Sequence, residues 1–340
     1  MGREHDVGGL SHGTVSRHRL EHPHRGPHRD RAVADPDRGR AAAGAPTAVQ
    51  LAAGALVAAA GRLPLPLALW LGRRLGDAAY VALGRRRRLA LDNLARAYPA
   101  LPLRARARLA RHASQHLGMT LIELARVLAR PLDVTLARIR LEGVEHLRAA
   151  MAAHGRALLL TAHLGNWELL AAAHRLTGFP LSIVVRPLDA PWLDALAEKL
   201  RRSAGVELIA KRGALRPVLE ALRRGRMIGI LMDQNAARRE GVFVDFFGRP
   251  ASTSRSIALL AVRTRTPVVP VFARRDADGR HRVVIHPALP LPEANGAEAA
   301  VVELTAQCTS VIERAIREAP EQWLWSHDRW RTRPPGEARA

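Results

Sequence analysis

His163 and Glu168 stand five residues apart in ALLLTAHLGNWELL and are the pair whose types best suit acid–base chemistry. An imidazole in reach of a hydroxyl can take its proton as the oxygen attacks a thioester carbonyl. A neighbouring carboxylate then fixes the ring tautomer and stabilises the imidazolium that forms. No protein nucleophile is needed, because the attacking hydroxyl belongs to the acceptor. The spacing carries a geometric condition. If both residues were helical, five steps of about 100° would set them about 140° apart. A His163–Glu168 pair therefore requires His163 in a loop and Glu168 on the first helical turn, with Gly165 supplying the freedom between them. The bland alternative is a core histidine followed by a helix-capping glutamate, since His-x4-Glu alone recurs by chance.

The elements around this pair set its place. Short apolar runs recur at ALLLTA (157–162), LSIVV (181–185), VELIA (206–210), MIGILM (227–232), PVVPVF (267–272) and RVVIH (282–286). Amphipathic stretches separate the first four, around 166–176, 191–203 and 214–224. This rhythm predicts an α/β fold with a central, largely parallel mixed sheet flanked by helices. In such open sheets, ligands bind beyond the carboxyl ends of the strands, where His163 falls. Asp233 ends the MIGILM run and so reaches the same rim, either to orient a functional group or as a strand-end turn residue. Lys211 and Arg212 follow VELIA and reach it too, as phosphate ligands or as a solvated loop. Residues 89–150 read as helices, and a closing helix is expected from about Ala297 to Glu318.

Three segments are expected: a disordered basic tail (1–45), a membrane-associated helical segment (46–88) and the main domain (89–334). The tail is rich in Arg, His, Pro and Gly and has too little apolar surface to offset ordering entropy. Its six histidines are irregularly spaced, and no apolar core follows its basic start as a secretory signal requires. From Thr47 to Gly72 the chain turns apolar, but Arg62, Pro64 and Pro66 interrupt it after some 15 residues, short of the ~20 a spanning helix needs. Two short interfacial helices fit better, with Trp70 and Tyr80 at headgroup level and Arg85–Arg88 against anionic lipid; an ordinary Ala/Leu-rich core helix is the alternative.

The formal net charge of +22 points to anionic partners. Lysine occurs only at Lys199 and Lys211, so the excess is almost all arginine, and part of it reads as general composition. A nucleic-acid-binding role suits the charge but lacks a motif, and 4% aromatic residues are few for base stacking. A catalytically silent membrane scaffold is the other non-enzymatic reading. Cys308 is the only cysteine, which rules out an intrachain disulfide and a multi-cysteine zinc site, and it is expected to be a buried apolar residue.

Five ordered blocks resemble the lipid A biosynthesis lauroyl/myristoyl acyltransferase family, over roughly Ala48 to Pro334. They are RRRRLALDNLARAYP, HLGNWE, VVRPLDAPWLD, GILMDQNAARREGVFVDFFGRPASTS and PEQWLWSHDRWRTRP. Asp328 departs from the pattern, which is usually basic there. The resemblance implies transfer of an acyl chain from acyl carrier protein, or coenzyme A, to a hydroxyl of a phosphorylated glycolipid, without a metal or redox cofactor. It implies a bacterial inner-membrane enzyme working on the cytoplasmic face, with acyl carrier protein and anionic lipid as partners and no nucleic acid. By position, His163 is the general base and Glu168 its partner, and Arg186 binds a phosphate or polarises the carbonyl. Asp233, Lys211, Arg212 and Asn166 complete the expected substrate-binding set. Phe246, Phe247 and Trp325 are candidates for an apolar acyl groove or for plain core. Relatives acting on a glycerophosphate or a phosphoinositide mannoside are the enzymatic rivals; they commonly carry Asp at the position of Glu168.

Overall fold

The computed structural model describes residues 59, 61–187, 191–293 and 296–336, those of 192 by backbone alone. The expected tail over 1–45 and the apolar start of the next segment lie outside the described residues. One compact unit runs from Thr47 to Ala340.

Three helices open it: α1 (Leu65–Ala82), α2 (Gly84–Ala97) and the long α3 (Leu103–Ala129). Pro64 stands at the N-cap of α1, where its missing N–H costs nothing. α1 and α3 cross closely because small residues line the seam. A Cβ on Gly72 would stand 2.6 Å from Met119 Cα, and one on Gly118 would stand 2.2 Å from the Gly72 carbonyl oxygen. The other side of α1 is open and mixes apolar side chains with arginines: Trp70 is 54% and Val81 71% exposed, beside Leu67, Leu75, Arg73 and Arg74. Tyr80, expected at headgroup level, instead packs inward and donates its hydroxyl to the Ala107 carbonyl at 3.3 Å. No helix among the described residues is long and apolar enough to cross a membrane.

After the short helix α4 (Leu132–Leu136), the chain builds a mixed sheet interleaved with helices. In chain order these are β1 (Ile139–Glu142), α5 (Val144–His154), β2 (Ala157–Thr161), α6 (Glu168–Ala173), β3 (Leu181–Val185), α7 (Pro191–Ser203), β4 (Glu207–Ala210), α8 (Leu215–Arg223) and β5 (Met227–Leu231). A hairpin of β6 (Gly241–Asp245) and β7 (Pro250–Ser254) follows, then α9 (Ser256–Thr264), β8 (Val268–Arg275), β9 (His281–Ile285) and α10 (Ala297–Glu318). The seven-stranded order is β1-β9-β8-β2-β5-β3-β4, with β8–β9 the antiparallel pair and the other neighbours parallel. All six apolar runs are strands, and α10 has the expected bounds. The central strands are buried on both faces, so they read as unbroken apolar runs rather than alternations.

Two features depart from the sequence expectation. β1 lies within the stretch read as helical, and the β6–β7 hairpin forms a separate two-stranded sheet. The hairpin carries Phe246 and Phe247 inward, where they meet Trp323, Trp325 and Trp330 in one aromatic cluster. Trp323 and Trp325 contact edge to face at 4.6 Å. Phe246, Phe247 and Trp325 are therefore core rather than groove. Cys308 is buried as expected, and burial pushes its thiol up to about 12.

Candidate active site

β2 and β5 are neighbours in register, with Thr161 opposite Leu231, and the Met232 N–H donates to the Thr161 carbonyl at 3.1 Å. The second residue beyond each strand end is thereby set beside the other. Those residues are His163 and Asp233. His163 Nδ1 lies 2.8 Å from Asp233 Oδ1, and the His163 backbone N–H donates to Oδ2 at 3.0 Å. The Trp323 indole also donates to Oδ2, at 2.8 Å. Burial alone would raise the Asp233 pKa; the His163 charge, its two hydrogen bonds and the indole outweigh that and bring it to about 2. An ionised Asp233 holds the proton of His163 on Nδ1 and leaves Nε2 as the acceptor.

The loop that carries His163 is clamped from two sides. Gly165 adopts φ 62°, and a Cβ there would stand 1.9 Å from the Ala273 carbonyl oxygen of β8. Its N–H donates to the Gln322 carbonyl, and the Leu324 N–H donates to the His163 carbonyl at 3.2 Å. The closing segment 322–332 thus forms one wall of the site, itself held by buried Asn93 of α2, which donates to the carbonyls of Trp325 and His327.

The expected His163–Glu168 contact is not made. Glu168 starts α6 as expected, but its carboxylate faces Arg201 of α7, at 2.7 and 3.0 Å, and accepts from the Trp167 indole at 3.2 Å. The Trp167 ring in turn meets the His163 ring edge-on at 5.2 Å. Glu168 therefore reaches the imidazole only through Trp167. The local spacing was satisfied by another partner because a guanidinium on the facing helix forms a two-pronged pair that imidazole cannot match.

Glu168, Arg201 and Trp167 edge a cavity of about 750 Å³, counting its open mouth, between the sheet and α6. Its remaining wall is mostly aliphatic: Leu159, Leu170, Ile183, Gly229, Leu231 and Val271 among others. That apolar lining suits a flexible hydrocarbon chain.

Asn166 was expected to meet substrate. It is fully buried and donates to Glu123 of α3 at 2.7 Å, so it belongs to the scaffold beneath the loop. Arg186 is exposed just past β3, and Lys211 and Arg212 are exposed just past β4. The Lys211 N–H donates to Val185, which joins the two strand ends into one basic rim. At about 4.8 Å per strand, Arg186 sits about 10 Å along that rim from His163. Lys211 Nζ has Glu240 at 3.5 Å, an exposed pair of little strength.

Three contributors escaped the sequence reading. Trp323 fixes Asp233. The Gln234 side-chain nitrogen lies 3.3 Å from His163 Nε2. His327 accepts the Asn235 backbone N–H on Nε2 at 3.1 Å, and burial with the nearby His163 charge pushes its pKa down to about 4, against the pull of Asp233. Gln234 and His327 lie in the blocks that carry the family resemblance, and that was their only signal.

Residues 46–332 match the family described as bacterial lipid A biosynthesis acyltransferase. The chain belongs to that family. It is accordingly an O-acyltransferase, and the paired imidazole and carboxylate at the strand ends sit in its matched region. The lipid A biosynthesis lauroyltransferase of Escherichia coli K12 is 29% identical over 278 residues, 81% of this chain and 89% of its own length. The lipid A biosynthesis palmitoleoyltransferase of the same organism is 27% identical, over 82% of this chain and 89% of its own. A phosphatidylinositol mannoside acyltransferase of Mycobacterium tuberculosis H37Rv is 29% identical over 60% of this chain and 62% of its own.

Proposed function

We propose that this acyltransferase moves a fatty acyl chain from acyl carrier protein, or from coenzyme A, to a hydroxyl of a phosphorylated lipid A precursor. The observation that carries the reading is the His163–Asp233 pair at the rim, with the His163 ring against Trp167, which edges an apolar cavity. His163 Nε2 takes the proton of the attacking hydroxyl, and Asp233 stabilises the imidazolium. Glu168 holds Arg201 and Trp167 at the cavity edge, so its role is positioning. The acyl chain lies along Leu159, Ile183 and Gly229, and the rim arginines with Lys211 meet the phosphates of the acceptor. The thioester supplies the driving force, and a base with a carbonyl-directed donor is enough for the transfer without a metal or redox cofactor. The exposed apolar side chains of α1, with its arginines and those of α2, suit attachment to the anionic cytoplasmic surface of a bacterial inner membrane. Glu123, Asn166 and the closing segment hold the loop.

A second reading keeps the chemistry and changes the acceptor to a phosphoinositide mannoside, as the name of the mycobacterial relative suggests. Mass spectrometry of lipids from cells with and without the gene separates the two. A shift of one acyl mass in the phosphorylated disaccharide lipid supports the first reading, and a shift confined to inositol lipids supports the second. His163→Ala is expected to lower transfer about 10³-fold, read on protein confirmed as folded by circular dichroism.

A further inference from the structure

We propose that Gln234 is a further catalytic residue: its side-chain amide caps His163 Nε2 in the empty enzyme, then donates to the carbonyl oxygen during transfer. This rests on the acyl-transfer reading above and names a group that the reading leaves without a role.

The cap follows from the tautomer. Asp233 accepts the hydrogen bond from Nδ1–H, so Nε2 of the neutral ring presents a lone pair. The Gln234 amide stands 3.3 Å from that lone pair, and only its N–H side is compatible with it, because a carbonyl oxygen there would set two acceptors face to face. A hydroxyl about to lose its proton to Nε2 must sit about 2.8 Å from it. The amide occupies that place and has to yield.

The neighbours of Gln234 determine how it yields. Asp233 accepts three hydrogen bonds, from the His163 backbone, the His163 ring and Trp323. Asn235 is fixed on the other side: its N–H donates to His327, its amide nitrogen donates to Thr332 Oγ1, and its amide oxygen accepts from the Thr332 N–H. The backbone on both sides is pinned, and the half-buried Gln234 side chain pivots between them. An amide that gives way to the hydroxyl on Nε2 stays on a stem anchored beside the same imidazole, within reach of the carbonyl under attack. Its N–H groups then face the oxygen that gains charge. A neutral amide does this without a titration of its own.

In the step itself, the acceptor oxygen bonds to the acyl carbon while its proton passes to His163 Nε2. The carbonyl electron pair moves onto the oxygen facing Gln234. Collapse of the tetrahedral carbon breaks the carbon–sulfur bond, and the departing sulfur takes the proton from the imidazolium. An ester and a free thiol result.

The test uses the full chain, a 12-carbon acyl group on acyl carrier protein and a phosphorylated disaccharide lipid acceptor. Gln234→Met keeps the length of the side chain and removes the donor. It is expected to lower kcat about 10²-fold, with KM for both substrates within about threefold and the melting temperature unchanged. Gln234→Asn keeps an amide on a shorter stem and is expected to recover part of the loss. A Met variant with near-normal kcat, or an Asn variant no faster than Met, overturns the donor role. Without substrate, diethyl pyrocarbonate should modify His163 faster in Gln234→Met than in the unaltered enzyme, and equal rates overturn the cap. An unaltered enzyme that transfers nothing from the thioester overturns the underlying reading instead, a result that the modification rates do not depend on.

Discussion

Glu123 and Asp233 are both buried carboxylates that accept a hydrogen bond from an imidazole, and their surroundings diverge at the second ring nitrogen. Glu123 is closed on every side, by Asn166, Arg275 and His281, each almost fully buried. The far nitrogen of His281 is sealed in the interior and has no hydrogen-bond partner. At Asp233 the imidazole belongs to a side chain that is 20% exposed, and its far nitrogen meets an amide on a free stem. The same pair of groups is thus used once to tie α3, β8, β9 and the catalytic loop together, and once to leave a base facing the rim. Burial of a carboxylate–imidazole pair does not identify a site. A second nitrogen that faces the rim, with only a side-chain amide against it, does.

The largest expected effect separates Asp233 from Glu168. Asp233→Asn should lower kcat about 10³–10⁴-fold, because the amide no longer holds the Nδ1–H tautomer. Glu168→Gln should cost about tenfold to 10²-fold, through a loosened Trp167 and an unpaired Arg201. Steady-state transfer assays on the two variants check the order, and a reversed order breaks the comparison.

Glu123→Gln should act on stability instead. Leaving Arg275 buried without its counter-charge costs about 3–5 kcal/mol, read from denaturant unfolding, with the loss appearing there before it appears in kcat. Both carboxylates sit below their ordinary range: burial raises each, and their cationic and hydrogen-bonding neighbours outweigh it. A depressed carboxylate stabilises the fold above its unfolded pKa and loses that contribution as pH falls through the folded one. For Asp233 the window runs from about 4 down to about 2, and Asp233→Asn should flatten that part of the stability curve.

Smaller effects sharpen the rest of the rim. A Cβ at Gly229 would stand 3.0 Å from Ile183 Cγ2 inside the cavity wall. Gly229→Ala should therefore shift preference toward shorter acyl donors, by about fourfold in kcat/KM per methylene that no longer fits. Arg186→Ala should raise KM for the phosphorylated acceptor about fivefold at low salt, the worth of one exposed ion pair, and the difference should shrink as salt is added.

Much of the fold was legible because central strands buried on both faces announce themselves as apolar runs. β1 was not: IRLE alternates Arg140 and Glu142 with apolar residues over four positions, too short a pattern to stand out among helices. β7 was not either, since PASTS opens on proline and carries small polar residues that read as loop. At the site, His163 and the rim position of Asp233 were readable from where apolar runs end. The pairing was not, because sequence proximity favours Glu168 while sheet register brings in Asp233, seventy residues away. Glu123 gives no local signal at all: a charged residue within α3 looks like any solvated one until its partners from three other elements, Asn166 among them, are in place.

Asp233, and not Glu168, holds the Nδ1 proton of His163. Proton NMR of enzyme labelled with ¹⁵N-histidine reads that proton directly, as a downfield resonance coupled to the ring nitrogen and assigned by its absence in His163→Ala. The resonance should persist in Glu168→Gln and vanish in Asp233→Asn. Its survival in Asp233→Asn with loss in Glu168→Gln would assign the proton to Glu168 instead.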